Sequence, residues 1–157
     1  MQKVAIFADV QNIYYTCRHR YQKHFSYGAF WQQATANRHV VAAFAYAIER
    51  GDAKQRGFQH ILKDIGFQIK LKPFIQRSDG SAKGDWDVGI TLDMLEMAEQ
   101  VDVVILLSGD GDFQLLLQKV RERYQVESEV YGVATLTAQT LINAADRFVA
   151  IEEGLLL

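Results

Sequence analysis

Five of the aspartates of this 157-residue chain fall in three short segments, each where the sequence pattern changes. Asp9 directly follows the apolar run Val4-Ala5-Ile6-Phe7-Ala8 and precedes Val10-Gln11-Asn12. Asp110 and Asp112 stand in Ser108-Gly109-Asp110-Gly111-Asp112, behind the apolar run Val103 to Leu107. Asp85 and Asp87 stand in Lys83-Gly84-Asp85-Trp86-Asp87, which opens a helical pattern continuing through Thr91, Asp93 and Met94. Carboxylates gathered within a few ångströms raise one another's pKa and resist ionisation unless a cation neutralises them. Aspartates, the Asn12 amide and the Ser108 hydroxyl, with no local His or Cys, suit Mg²⁺ or Mn²⁺ better than Zn²⁺. Such ions lower the pKa of bound water, orient it for in-line attack and neutralise a leaving oxygen. The pattern points to a divalent-metal phosphodiesterase.

For that chemistry the three segments must meet, and the elements around them say where. Val4 to Ala8, Val40 to Phe44, Phe67 to Phe74, Val103 to Leu107 and Val126 to Tyr131 read as strands. Asp52 to Asp64, Trp86 to Gln100, Asp112 to Arg123 and Leu136 to Arg147 read as helices, with helix ends expected at Gly51 and Gly66. Strands alternating with helices imply right-handed crossovers and an α/β fold, a three-layer α/β/α sandwich on a mostly parallel sheet. The runs 4–8 and 103–107 are almost purely apolar, as central strands covered on both faces should be. In such sheets the working site lies beyond the carboxyl ends of the strands, where Asp9, Asp110 and the start of the helix at Asp87 would converge. With no repeat, no linker and a single proline at Pro73, residues 1–157 read as one domain.

Each acid also has a plainer reading. Asp87 and Asp112 could cap the helices they precede, Asp112 being the weaker of its pair. Asp93 lies six residues beyond Asp87, about 120° away around a regular helix. Either Asp87 sits at the cap while Asp93 faces the rim, or Asp93 supports the site from behind or is solvated. Asp9 has the least comfortable structural reading, because a carboxylate at the end of a buried strand needs a partner. Other motifs fail. Gly109 to Gln114 has no third glycine for a dinucleotide site, no Walker lysine is present, and His19, His24, His39 and His60 form no zinc pair. Asp110-Gly111-Asp112 lacks the remaining ligands of an EF-hand loop.

These residues resemble the NYN domain, a branch of the PIN-like nucleases, and within it the LabA-like bacterial proteins. The resemblance spans nearly the whole chain. It rests on Phe7-Ala8-Asp9-Val10-Gln11-Asn12, on Lys83 to Val88 with Leu92-Asp93-Met94, on Leu107 to Phe113, and on Ala145-Asp146-Arg147-Phe148. It implies a PIN-like fold and a metal-dependent ribonuclease, with Asp9, Asp87, Asp110 and Asp112 around Mg²⁺ or Mn²⁺ and Asn12 positioning water or phosphate. Asp85, Asp93, Ser108 and Lys83 would support that site. Gly84 is followed by both Asp85 and Asp87, and the spacing to Asp93-Met94 favours Asp87 as the ligand.

An RNA substrate needs cations for its phosphates and rings for unpaired bases. Between Tyr14 and Trp31 lie seven aromatics together with Arg18, His19, Arg20, Lys23 and His24. Arg18, Arg20 and Lys23 are the candidate RNA contacts, while Tyr14, Tyr21, Phe25 and Trp31 read equally as core. Arg77, on the polar loop Gln76 to Ser81, and Lys83 could reach the same cleft; Lys70 and Lys72 read as solvated edge charges. A non-catalytic RNA-binding or regulatory module that retains the pocket is the alternative function, and a phosphate-receiving domain a third. Surface aromatics would allow a homodimer, which nothing specifies.

The formal net charge of −2, from 17 basic and 19 acidic residues, argues at first sight against a polyanionic partner. Setting aside Asp9, Asp87, Asp93, Asp110 and Asp112 leaves 17 basic against 14 acidic residues, an acidic centre in a mildly basic body. A lone Cys17 fits a reducing compartment, and the expectation is a cytoplasmic protein. The longest apolar run, Val40 to Ile48, is far below the roughly 18 to 20 residues of a membrane span, and Met1 reaches Asp9 too soon for a signal peptide.

Overall fold

The computed structural model describes residues 1–73, 75–76, 82–83 and 85–157, without the side chains of 75, 76, 82 and 83. In chain order the elements are β1 (Gln2–Asp9), α1 (Val10–Tyr21), α2 (Tyr27–Thr35), β2 (Arg38–Glu49), α3 (Ala53–Ile65) and β3 (Gln68–Pro73). A small hairpin of β4 (Ile75–Gln76) and β5 (Ala82–Lys83) follows, then α4 (Asp87–Ala98), β6 (Val103–Leu107), α5 (Gln114–Tyr124), β7 (Glu127–Gly132), α6 (Gln139–Ala144) and β8 (Arg147–Ala150). The main sheet has six strands in the order β3-β2-β1-β6-β7-β8, every neighbouring pair parallel.

The alternation of side chains along β1 and β6 builds the two halves of the core. Val4, Ile6, Ala8, Val103, Ile105 and Leu107 face one way, against Ile13 and Cys17 of α1, Phe30 of α2 and Leu62 of α3. Ala5, Phe7, Val104 and Leu106 face the other, against Ile90 and Met94 of α4, Leu117 and Val120 of α5 and Leu141 of α6. Both strands are solvent-free from Val4 to Ala8 and from Val103 to Leu107, which is why they read as unbroken apolar runs. The result is the expected three-layer α/β/α sandwich.

Four boundaries differ from the sequence reading. α1 and α2 occupy the stretch read as an aromatic and basic tract; the helical signal of α1 is Ile13 and Cys17, four apart and buried, and that of α2 is Tyr27, Phe30 and Ala34. β2 runs on to Glu49, five residues past Phe44, and Gly51 (φ +70°) therefore follows a strand rather than a helix. Gly66 does end α3, its amide donating to the Leu62 carbonyl. The tract expected as one helix, Leu136 to Arg147, splits into α6 and the edge strand β8. Asp146 causes the split: its Oδ2 accepts the Ser128 amide of β7 at 2.8 Å while its Oδ1 holds Arg121 of α5. A pair that the sequence reading missed crosses the sheet, with the half-buried Arg38 of β2 donating to both oxygens of the buried Glu129 on β7 at 2.9 and 2.6 Å.

Candidate metal centre

The polarity of the parallel sheet brings the acidic segments together. β1 and β6 are adjacent and in register, Ala8 opposite Leu107, so Asp9 and Ser108 leave the sheet side by side. The chain after β6 turns through Gly109, which has no room for a side chain: a β-carbon there would lie 2.8 Å from the Leu136 carbonyl oxygen. Its amide donates to Asn12 Oδ1 at 2.9 Å, tying the first turn of α1 to this loop. Asp110 then caps the short turn Gly111–Phe113, its Oδ1 accepting the Asp112 amide at 2.9 Å. α4 begins at Asp87 and packs against β1 through Ile90 and Met94, which brings its N-terminus over the same rim.

Carboxylate oxygens of Asp87, Asp110 and Asp112 lie within 4.8 Å of one another, the first two half-buried and the third exposed. Asp9 sits behind them. Its Oδ2 accepts the Ser108 hydroxyl at 3.0 Å, and Ser108 Oγ in turn accepts the Asp110 amide at 3.1 Å. Burial pushes the Asp9 carboxyl up to about 6, the Ser108 hydrogen bond opposing and the charges of Asp110 and Asp85 adding to the rise. Asp87 is pushed up to about 7, by burial first and then by the adjoining Asp110 carboxylate. Acids held this far above their ordinary range are short of positive charge. The donor set is all oxygen, so the residues fit a hard divalent cation such as Mg²⁺ or Mn²⁺.

The remaining expected residues fall in different places. Asp85 is exposed; its Oδ1 accepts the Asp87 amide at 3.3 Å, so of the two acids after Gly84 it is Asp87 that joins the cluster. Asp93 is not among the clustered carboxylates. It accepts Lys70 Nζ at 2.6 Å and the Tyr46 hydroxyl at 2.8 Å, because the 120° step around α4 turns it towards the sheet. Asp93 and Lys70 are thus a half-buried ion pair, neither a rim acid nor a solvated edge charge. Lys72 donates to the Asp85 carbonyl and lies over the Trp86 ring. Arg77 and the Lys83 side chain fall outside the described residues.

Beside the acids, between α1 and the β2–α3 connection, opens a groove of about 990 Å³. Arg18 and Lys23 line it, Arg18 donating to the Tyr14 hydroxyl at 2.9 Å and Lys23 paired with Glu153 at 2.7 Å. Arg20 instead lies over the Tyr21 ring. Of the aromatics in the tract, Phe25, Tyr27 and Phe30 are core, Tyr21 and Trp31 pack on the core, and Tyr14 and Tyr15 are exposed. Arg50 and Lys54 also line the groove. Nothing in the sequence placed them on the rim as long as β2 was taken to end at Phe44.

No described helix is long and apolar enough to cross a membrane. The model of the NYN domain matches residues 3–152. Over 96% of its length the chain is 30% identical to the low amplitude and bright protein LabA of Synechococcus elongatus, covering 84% of that protein. A crystal structure of a Vibrio parahaemolyticus protein of unknown function is 59% identical and superposes with a TM-score of 0.95, over 99% of this chain and 96% of the other. With this sheet order, the acids at its carboxyl rim and a family match over nearly all its length, the chain belongs to the NYN domain family and is a LabA-like protein.

Proposed function

We propose that this protein is a divalent-metal-dependent ribonuclease that hydrolyses RNA phosphodiester bonds at the Asp9, Asp87, Asp110 and Asp112 cluster. The observation that carries the reading is the close approach of the Asp87, Asp110 and Asp112 carboxylates from two segments, with Asp9, from a third, tied to the Asp110 amide through Ser108, and with Asp9 and Asp87 held well above the ordinary carboxylate range. Placing such charges together at one exposed rim costs stability, and a cation in the cluster turns that cost into affinity. A Mg²⁺ or Mn²⁺ ion held there would supply an activated water and neutralise charge on the leaving oxygen.

The chain's own residues prepare the site. Ser108 orients Asp9 and fixes the Asp110 amide. Asn12 in this reading is a positioning residue, since its Oδ1 holds the Gly109 amide and hence the loop that bears Asp110. Asp85 braces the start of α4 so that Asp87 points into the cluster. With its single, buried, free cysteine, Cys17, the protein is read as cytoplasmic.

The test is cleavage of a mixed pool of single-stranded and structured RNA by purified protein in Mg²⁺ or Mn²⁺, with EDTA and the Asp9→Asn and Asp110→Asn variants alongside. Cleavage that is lost with EDTA and falls at least about a hundredfold in either variant is the expected result. No divalent-dependent cleavage of any RNA in the pool sinks the reading.

A further inference from the structure

The groove beside the acidic centre is not used by the hydrolytic machinery, and its lining is specific in kind. One wall is α1, starting directly after Asp9; the other is the end of β2 and the start of α3. Asp9 is opposite Tyr46 in the sheet, so Ala47 to Arg50 extend from the neighbouring strand along the same rim. Gln11, two residues past Asp9, lines the groove at the end nearest the acids. The groove therefore begins next to Asp9 in the chain, and none of the four acids lines it.

The floor is apolar, with Val10, Ile13, Ile48 and Phe58. The rim is basic: Arg18, Arg50 and Lys54 stand against one acid, Asp52, whose carboxylate is engaged by the Gln55 amide at 2.8 Å. Two exposed rings border it. Tyr14 is stacked on His24, centroids 5.8 Å apart, and meets the edge of Tyr15 at 5.4 Å. Tyr15, half exposed, is the ring with a face to offer. The Arg50 side chain, then Gln11, beside its hydroxyl hold the phenol below the ordinary tyrosine range.

Resting on the ribonuclease reading, we infer that this groove binds the unpaired strand of the RNA substrate, with a base stacked on Tyr15 and its phosphates on Arg50 and Arg18. An apolar floor under a cationic rim takes a base only when that base is free to leave its stack, which a duplex does not allow. Rings and guanidinium groups in one groove are the parts used for single strands. The groove thus selects single-stranded RNA and sets how it crosses the acids.

The test is fluorescence anisotropy of a labelled oligoribonucleotide about ten nucleotides long, a length within the usual site size of such grooves. It is run with the whole protein in EDTA, so that binding is read without cleavage. Wild type is expected to bind the single strand at least about tenfold more tightly than the same sequence as a duplex. Tyr15→Ala and Arg50→Ala each weaken single-strand binding about tenfold, Tyr15→Phe retains it, and Arg123→Ala on the far end of α5 leaves it unchanged. Equal binding of strand and duplex, tighter binding of single-stranded DNA than of RNA, or wild-type affinity in both Tyr15→Ala and Arg50→Ala overturns the inference. The outcome is separable from the ribonuclease reading. If binding behaves as expected and no RNA is cut in Mn²⁺, the groove stands and the hydrolase falls; if RNA is cut and both variants bind and cut like wild type, only the groove falls.

Discussion

The Ser108 hydroxyl donates to Asp9 Oδ2 at 3.0 Å, and its oxygen accepts the Asp110 amide at 3.1 Å, so one buried side chain sets two acids of the cluster at once. Ser108→Ala leaves the Asp110 amide without that partner and removes the hydrogen bond that favours ionised Asp9. A loss of about 1 to 3 kcal/mol is expected in urea denaturation. Mn²⁺ affinity by isothermal titration should fall as well, whereas an equal loss of stability with unchanged affinity would make Ser108 purely structural.

Asp9 itself should weaken the metal-free fold at neutral pH. Its folded pKa of about 6 lies above the ordinary aspartate value of 3.8, so the native state binds the proton more tightly than the unfolded chain does. The stability it contributes is fully present below about pH 4 and is lost as the pH rises through 6. Asp9→Asn removes this pH dependence. In EDTA at pH 8 the variant should be more stable than wild type by about 2 kcal/mol, shrinking as the pH falls from 6 towards 4. Wild-type stability that matches or exceeds the variant's at pH 8 contradicts the assigned environment of Asp9.

Protons and metal should compete at Asp87. With its carboxyl pushed up to about 7, the group is mostly neutral at pH 6 and mostly charged at pH 8. Mn²⁺ affinity is therefore expected to be about tenfold weaker at pH 6 than at pH 8, with protons released on binding. Titrations in buffers of different ionisation heat measure both quantities. A pH-independent affinity over this range would place the ion elsewhere.

Lys70 and Asp93 should matter to folding and not to catalysis. Their contact at 2.6 Å is partly buried, and the Tyr46 hydroxyl shares the carboxylate. Lys70→Met leaves Asp93 without its cation and is expected to cost about 1 to 2 kcal/mol. Rates of RNA cleavage should stay within a factor of about two, since Asp93 is not among the clustered carboxylates and is held by Lys70 and Tyr46. A large loss of rate with little loss of stability would return Asp93 to the site.

Gly109→Ala tests the loop from its other side. The added β-carbon would sit 2.8 Å from the Leu136 carbonyl oxygen and 3.0 Å from Thr137 Oγ1, so backbone must move. Overpacking of this kind costs about 1 to 3 kcal/mol, and Asp110, the next residue, moves with it. Gly28→Ala, with nothing within 4 Å of the added carbon, is the matched control. Differential scanning fluorimetry with and without Mn²⁺ reads the stability and the metal effect together.

The acids were legible in the sequence because each ends an apolar strand or opens a helix, positions that parallel topology sends to one rim. Asp9 and Asp110 needed only the runs 4–8 and 103–107, and these are the two central strands. The tie between Asp9, Ser108 and Asp110 was not legible, since it depends on strand register and on a turn that Gly109 alone permits. Spacing along one helix left Asp93 either facing the rim, supporting it from behind or solvated; its partner, Lys70, lies on β3, and no local pattern joins them.

The groove was half visible. Arg18 and the tyrosines stood out by composition, but composition could not separate Tyr14 and Tyr15, which are exposed, from Phe25 and Phe30, which are core. Tyr14 and Tyr15 fall off the Ile13 and Cys17 face of α1, whereas Phe30 is on the buried face of α2 and Phe25 lies between the two helices. Arg50 and Lys54 were hidden because Ala42, Ala43, Ala45 and Ala47 within β2 carry weak strand preference, and the strand therefore appeared to stop five residues early.

The proposed hydrolysis requires acids from three segments to form one cation site. Anomalous diffraction from crystals grown with Mn²⁺ tests this most directly. A peak is expected within coordinating distance of Asp87 and Asp110, with Asp9 or Asp112 completing the set, and it is expected to be lost in Asp110→Asn. A wild-type map with no peak among these carboxylates, or a peak that persists unchanged in Asp110→Asn, would contradict it.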